Sequence, residues 1–345
     1  MQISTQAEKF DIDYFLETKI SVPTQYSSWI SLIDNYDGNI ELQTLIAHEN
    51  NTVVGVLSGF YINTDYGIIY NSIPYPGGYG GIISDSEEAY KLILDYLVSQ
   101  SEEKSCILAT ICNTPWKADD SLYLKNFKPD YVFENFINFI DLSSDLSFNK
   151  KIRWSLRKAE NNNLTFTSTP SLEEVNVFYK IWSDLMKNYE SPHFNQNMFT
   201  NIYDNLVSKG KAKFFLALKD DKIVSGYLLL ISDNVIEYFH SAINPEYRDL
   251  QPNTFLIKKG MEWGKKKGMK YWNWQSTRVK NSSIHKFKLG WGSVENKHYY
   301  FTKKIGDCSH IYGLDPDIIK KRYPFYYFLP YGAYETPEVT FFKKK

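Results

Sequence analysis

Phe214-Phe215-Leu216-Ala217-Leu218 and Ile223-Val224-Ser225-Gly226-Tyr227-Leu228-Leu229-Leu230 are two apolar runs joined across a polar turn, Asp220-Asp221. Short apolar runs bounded by a turn signal read as paired strands with a buried face. The same arrangement stands earlier in the chain. There Leu42-Gln43-Thr44-Leu45-Ile46-Ala47 and Val53-Val54-Gly55-Val56-Leu57 are joined across Asn50-Asn51. Outward from each hairpin the pattern also repeats. From about Tyr26 to Phe139 it runs helix, three strands, glycine-rich loop, helix, strand, short helix, strand. From about Leu172 to Phe301 much the same order returns. A duplicated unit places a cleft between its halves, and such clefts are favoured places for a ligand.

The second half is the more legible. Leu172, Val175, Phe178, Tyr179, Trp182, Leu185 and Met186 recur at helical spacing behind a capping box, Ser171 with Glu174. A second helix spans Asn195 to Val207 and stops at Gly210. Strands follow at Ala212–Leu218, Lys222–Ile231 and Val235–Ala242. Beyond a loop, a helix runs from Asn253 to Lys267 and ends at Gly268. A strand at Tyr271–Trp274, a short helix near Ser283 to Leu289 and a strand from Glu295 to Thr302 complete the half. Between the halves, Asn149 to Asn162 reads as a basic helix carrying Lys150, Lys151, Arg153, Arg157 and Lys158.

Composition bounds the function. The 345 residues suffice for two domains, expected at 1–145 and 146–305, with a tail of 306–345 packing back on them. A net charge of −1, with both signs interspersed, lacks the basic footprint of a dedicated nucleic-acid binder. The aromatic fraction is high, 17%, which suits cores and cleft walls. Three cysteines form no metal or disulfide pattern, and nothing calls for a metal. The N-terminal residues lack the basic start and apolar run of a signal peptide, and no stretch approaches a membrane span. A reduced, cytoplasmic location is expected.

Four stretches carry a family resemblance. They are Tyr75-Pro76-Gly77-Gly78-Tyr79-Gly80-Gly81, the basic helix Lys151-Ile152-Arg153-Trp154-Ser155-Leu156-Arg157-Lys158-Ala159-Glu160, Gln251-Pro252-Asn253, and Phe287-Lys288-Leu289-Gly290-Trp291-Gly292. In this order they resemble the P-x-x-Y-G-G loop, R-x-x-x-R-K-A helix, P-N loop and F-K-x-x-W-G motif of the Fem-like (FemAB-related) tandem-GNAT transferases. The resemblance implies a mixed α/β fold: two tandem GNAT-like domains, each a mostly antiparallel mixed sheet flanked by helices. It also implies transfer of an acyl or aminoacyl group to an amine. The donor would be acyl-CoA and the acceptor a small amine, aminosugar or cell-envelope precursor. Aminoacyl-tRNA is the alternative donor, and a catalytically inactive binding scaffold is a third reading.

Acyl transfer needs a base for the amine, a stabiliser for the oxyanion and a neutraliser for the leaving group. Lys288 sits in the strongest motif and is the candidate to neutralise a leaving phosphate or thiolate, against a lysine on an exposed helix face. His240 and Glu237 are candidate bases. Strict alternation sets them on opposite faces of their strand, with Tyr238 beside His240, so at most one of the two faces the cleft. A GNAT phosphate cradle is normally glycine-rich. Here Arg248-Asp249-Leu250-Gln251-Pro252-Asn253-Thr254 has no glycine, and Pro252 removes one N–H. Arg248, Asn253 and Thr254 remain donor-binding candidates, although Asn253 also suits a simple N-cap. Gln275, Ser276 and Arg278 follow a strand and are expected near the donor. Arg153 and Arg157 lie one helical turn apart, suited to phosphates or to salt bridges. Tyr75, Tyr79, Gly80 and Gly81 are expected at the acceptor cleft, or in a tight turn.

Overall fold

A computed structural model describes residues 1–36, 38–72, 79–116, 119–277, 280–324 and 328–330. The chain forms two compact units, one of residues 1–136 and 297–345, the other of 137–296. In the first unit, β1 (Gln2–Ser4), α1 (Ile12–Glu17) and α2 (Ser27–Asp34) precede β2 (Ile40–Glu49), β3 (Thr52–Thr64), β4 (Gly67–Asn71) and β5 (Ile83–Ser84). Then come α3 (Glu87–Glu103), β6 (Cys106–Cys112), α4 (Asp120–Asn126) and β7 (Tyr131–Asp141). The second unit holds α5 (Lys150–Glu160), β8 (Thr165–Thr167), α6 (Leu172–Asn188), α7 (Gln196–Ile202), β9 (Ala212–Lys219), β10 (Lys222–Ile231) and β11 (Val235–Ile243). It continues with α8 (Pro252–Lys266), β12 (Tyr271–Ser276) and α9 (Ser283–Gly290), and the chain returns through β13 (Val294–Lys304) and α10 (Pro316–Arg322).

Each unit is a mixed sheet built to one plan. In the first the order is β1-β2-β3-β4-β6-β13, and in the second β8-β9-β10-β11-β12-β7. Among the described residues pairing is antiparallel except for one parallel pair in each, β4 with β6 and β11 with β12. The final strands do not follow chain order. Residues 297–304 of β13 belong to the first unit, where Tyr300 faces Cys112 and Phe301 faces Ile111. Residues 137–141 of β7 belong to the second, where Phe139 faces Asn273. A division by sequence at 145/146 would assign both strands the other way, because antiparallel pairing between distant segments leaves no local signature. Described parts of the tail pack on the first unit: the Tyr323 hydroxyl donates to the Asp65 carboxylate at 3.0 Å. Among the described residues, no helix is long and apolar enough to cross a membrane.

The two hairpins are two-residue turns. Asn50, Asn51, Asp220 and Asp221 all have φ between 46° and 66°, the left-handed region that Asn and Asp tolerate best outside glycine. The Ser171–Glu174 capping box is formed. Differences from the sequence expectation are local. The helix after Asn195 ends as α7 at Ile202 and continues as a π turn over Tyr203–Val207. The helix expected to begin at Asn253 begins at Pro252, with Gln251 as its N-cap at φ 62°.

In the second unit one face of the sheet (Tyr227, Leu229, Ile236, Trp272) is sealed by Leu256, Ile257 and Met261 of α8. Gly260 makes that approach possible. A methyl group there would stand 2.1 Å from Tyr227 Oη, which donates to the Leu256 carbonyl at 2.8 Å. Gly260→Ala is expected to cost about 2–3 kcal/mol in urea unfolding, because the ring is packed and hydrogen-bonded and cannot move aside. A variant as stable as the wild type would disprove this packing.

Candidate active site at the strand fork

The parallel ladder of β11 and β12 pairs Val235 with Tyr271, Ile236 with Trp272 and Glu237 with Asn273. Among the described residues no backbone hydrogen bond joins the two strands beyond that last rung. They part there because both lose regular geometry. β11 carries a bulge at Phe239, since Leu229 faces Tyr238 while Leu228 faces His240. β12 turns into the left-handed region at Gln275, φ 63°. The first unit has the same fork, but it is stitched. Ser72 N donates to Thr110 O, Cys112 N to Ser72 Oγ and Gly80 N to Cys112 O, each at 3.0 Å.

Ile236 and Trp272 face α8, so Glu237 and Asn273 face the other way. Both are fully buried. Gln275 joins them: its Nε2 donates to Glu237 Oε1 at 2.8 Å and its backbone N–H to Asn273 Oδ1 at 2.9 Å. Glu237 Oε2 and Asn273 Nδ2 have no partner among the described residues. Burial pushes the Glu237 carboxyl up to about 8, against which the Gln275 hydrogen bond pulls only in part.

Lys288 holds the turn that aims Gln275. From α9 its Nζ donates to Gln275 O at 3.0 Å, Ser276 O at 3.1 Å and Thr277 Oγ1 at 2.8 Å. Thr277 Oγ1 in turn donates to Asn138 Oδ1 at 3.1 Å. The ammonium has three donors, and all three are used. Burial lowers the Lys288 pKa to about 7. This corrects the exposed-face reading: Lys288 is buried, with its ammonium bonded into the turn at 275–277.

His240 is also corrected. The bulge at Phe239 breaks strict alternation, so His240 does not share the face of Tyr238. Tyr238 packs on Trp272 and Trp274. His240 sits with its ring 4.7 Å from Trp182 and 5.6 Å from Phe194. Burial depresses its pKa to about 3, so the ring is neutral near pH 7 and a weak proton acceptor.

At the α8 end, Asn253 is not the N-cap. Its Oδ1 accepts from Tyr238 Oη at 3.0 Å, which fixes it beside the fork. Phe255 N is taken by Gln251 O, which leaves the N–H groups of Asn253 and Thr254 without a partner among the described residues. Thr254 is buried and Arg248 is exposed. Asn162, just past α5, donates to Leu250 O at 3.2 Å and so ties the basic helix to this loop. Arg153 and Arg157 are exposed on α5. Arg153 bonds the Phe148 carbonyl and Arg157 the Arg153 carbonyl, and neither forms an ion pair among the described residues.

Of the first-unit candidates, Tyr79, Gly80 and Gly81 are buried. A methyl group on Gly81 would meet Asn113 Cα at 2.7 Å, so the close approach it permits is to the protein's own backbone. Tyr75 and Arg278 lie outside the described residues. Sequence reasoning passed over Asn273 and Thr277. The available signal was a lone Asn between Trp272 and Trp274, at a strand position that alternation makes buried.

The second unit thus presents an open fork between two parallel strands, with a helix N-terminus after the first of them. Residues 147–274 match the acetyltransferase (GNAT) domain family. Among solved structures the chain is similar to FemX (16% identity, TM-score 0.70, 87% of this chain and 97% of that one). It is also similar to L-PGS from Bacillus licheniformis (13%, 0.58, 88% and 93%) and to a tandem GNAT protein from the clavulanic acid biosynthesis pathway (10%, 0.53, 89% and 99%). No curated protein matches it. Residues 147–274 thus carry a GNAT domain, and the chain as a whole shares the fold of these solved structures.

Proposed function

We propose that the second unit transfers an acyl group to an amine, with Glu237 as the general base. The observation that carries this reading is the orphaned oxygen of a fully buried carboxylate at the mouth of the fork. A base raised toward neutrality by burial can take a proton from an ammonium or from the attacking amine and pass it on. The donor's phosphates would meet the free N–H groups of Asn253 and Thr254, with Arg248 on the preceding turn and Arg157 on the helix tied to it. Acyl-CoA is the donor this arrangement first suggests, and a small amine, aminosugar or cell-envelope precursor the acceptor.

Pro252 favours a second donor. It stands at the first helical position and supplies no N–H, so the cradle offers two backbone donors where a glycine-rich loop offers more. An aminoacyl-tRNA carries its nearest phosphate one ribose from the ester, with many more along its backbone, and the exposed cations of α5 suit such a polyanion.

Titration with acetyl-CoA, longer acyl-CoAs and aminoacyl-tRNA, followed by thermal shift, is expected to raise Tm for one class only. Arg157→Ala is expected to weaken that donor's binding about 5–10-fold, as for loss of a charge-assisted phosphate contact. The absence of any shift would sink the enzyme reading and leave the binding scaffold.

A further inference from the structure

We propose that Glu237, Asn273 and Gln275 form the subsite in which the amide is made: Asn273 Nδ2 donates to the acyl carbonyl oxygen while Glu237 Oε2 receives the amine proton. Its chemistry rests on the acyl-transfer reading, whereas its affinity for an amide does not.

Gln275 links the other two residues. Gln275 uses its Nε2 on Glu237 Oε1 and its backbone N–H on Asn273 Oδ1. Only the oxygen of a carboxamide accepts, so this bond fixes which way the Asn273 amide points. What remains is one free acceptor on Glu237 and one free donor on Asn273, both buried and both unpartnered among the described residues. The two residues are the last rung of a parallel ladder, so their backbones stand about 4.8 Å apart and their side chains share one face. A buried polar atom without a partner costs stability, and here two such atoms of opposite kind belong to one rung of the ladder. The group that satisfies both has an N–H and an oxygen on a single carbon. That is the syn edge of a primary amide, or the tetrahedral species that precedes a secondary one. Access runs along the fork, where Gln275, Ser276 and Tyr238 are only half-buried.

The step balances on these atoms. The amine nitrogen bonds to the carbonyl carbon, and the π pair moves to the oxygen, where Asn273 meets the growing charge. The amine proton goes to Glu237 Oε2. Collapse restores the carbonyl and expels the donor's sulfur or oxygen with its electron pair. The Glu237 proton then neutralises that leaving atom.

Two readouts on the full-length protein test the proposal. In the first, acetamide, which has an N–H syn to its carbonyl, is titrated while the Asn273 side-chain amide is followed in a 15N–1H spectrum, its signal assigned by its loss in Asn273→Asp. The signal is expected to move, and to move less with methyl acetate, which lacks the N–H. An unmoved signal overturns the site. In the second, kcat and KM are measured with whichever donor raises Tm. Asn273→Asp keeps the oxygen that Gln275 needs but removes the donor, and is expected to lower kcat about 10²-fold, the loss usual for one oxyanion donor, with KM nearly unchanged. Asn273→Leu, of similar shape and with no donor, serves if a second buried carboxylate prevents folding. Wild-type kcat in a folded variant overturns the role of Asn273 while leaving acyl transfer intact. A signal that moves with the amide in a protein that turns over no donor overturns the chemistry and leaves an amide-binding niche.

Discussion

Glu237→Gln is expected to lower turnover by about 10²–10⁴-fold, the range lost with a general base, while donor binding stays close to wild type. The pH profile separates this from a packing defect. Wild-type rate should rise with pH through an apparent value near 8, where burial places the carboxyl, and the Gln variant should show no such limb. Stability should change in the opposite direction. Folding raises this carboxyl from its ordinary 4.5 to about 8, so the folded state holds the proton more tightly. The stabilisation is fully present below pH 4.5 and is lost as pH rises to about 8. Urea melts at pH 5 and pH 8.5 should therefore show wild type losing stability relative to the variant. Equal pH dependence in the two proteins would mean that Glu237 is solvated and not the base.

Lys288→Met is expected to cost about 2–4 kcal/mol and to loosen the turn at 275–277. The substitution leaves two carbonyls and one hydroxyl without their donor, and methionine cannot replace it. Gln275 then loses its hold on Glu237, so turnover falls together with Tm. A charged group that met only the leaving atom would instead lower kcat with Tm unchanged, and that result would return Lys288 to a catalytic role. The pH dependence carries the sign of a lysine whose pKa folding lowers from 10.5 to about 7. The unfolded chain binds the proton more tightly, so wild-type stability relative to the Met variant rises between pH 7 and pH 10.5.

The residues that carry the fold were largely readable, and those that carry the site only in part. Both hairpins could be placed because Asn-Asn and Asp-Asp accept the left-handed turn that joins adjacent strands. α6 could be placed because its apolar spacing and capping box are local. Glu237 was readable as a candidate, yet setting it and His240 on opposite faces relied on alternation, and one extra residue at Phe239 undid that rule. Lys288 was legible as important because Phe287 and Trp291 anchor its helix, but the direction of its ammonium was not.

The sequence by itself determined the repeat, its hairpins, its helices and the class of chemistry its motifs resemble, since each of these rests on neighbours within a few turns of chain. Tertiary structure alone decided that β7 and β13 are exchanged between the units. It also decided that one fork is stitched while the other is open, and that a carboxylate and a carboxamide from separate strands meet with one valence each to spare. Those outcomes depend on strand register between distant segments, and register is fixed by burial of whole faces, which no short stretch of sequence records.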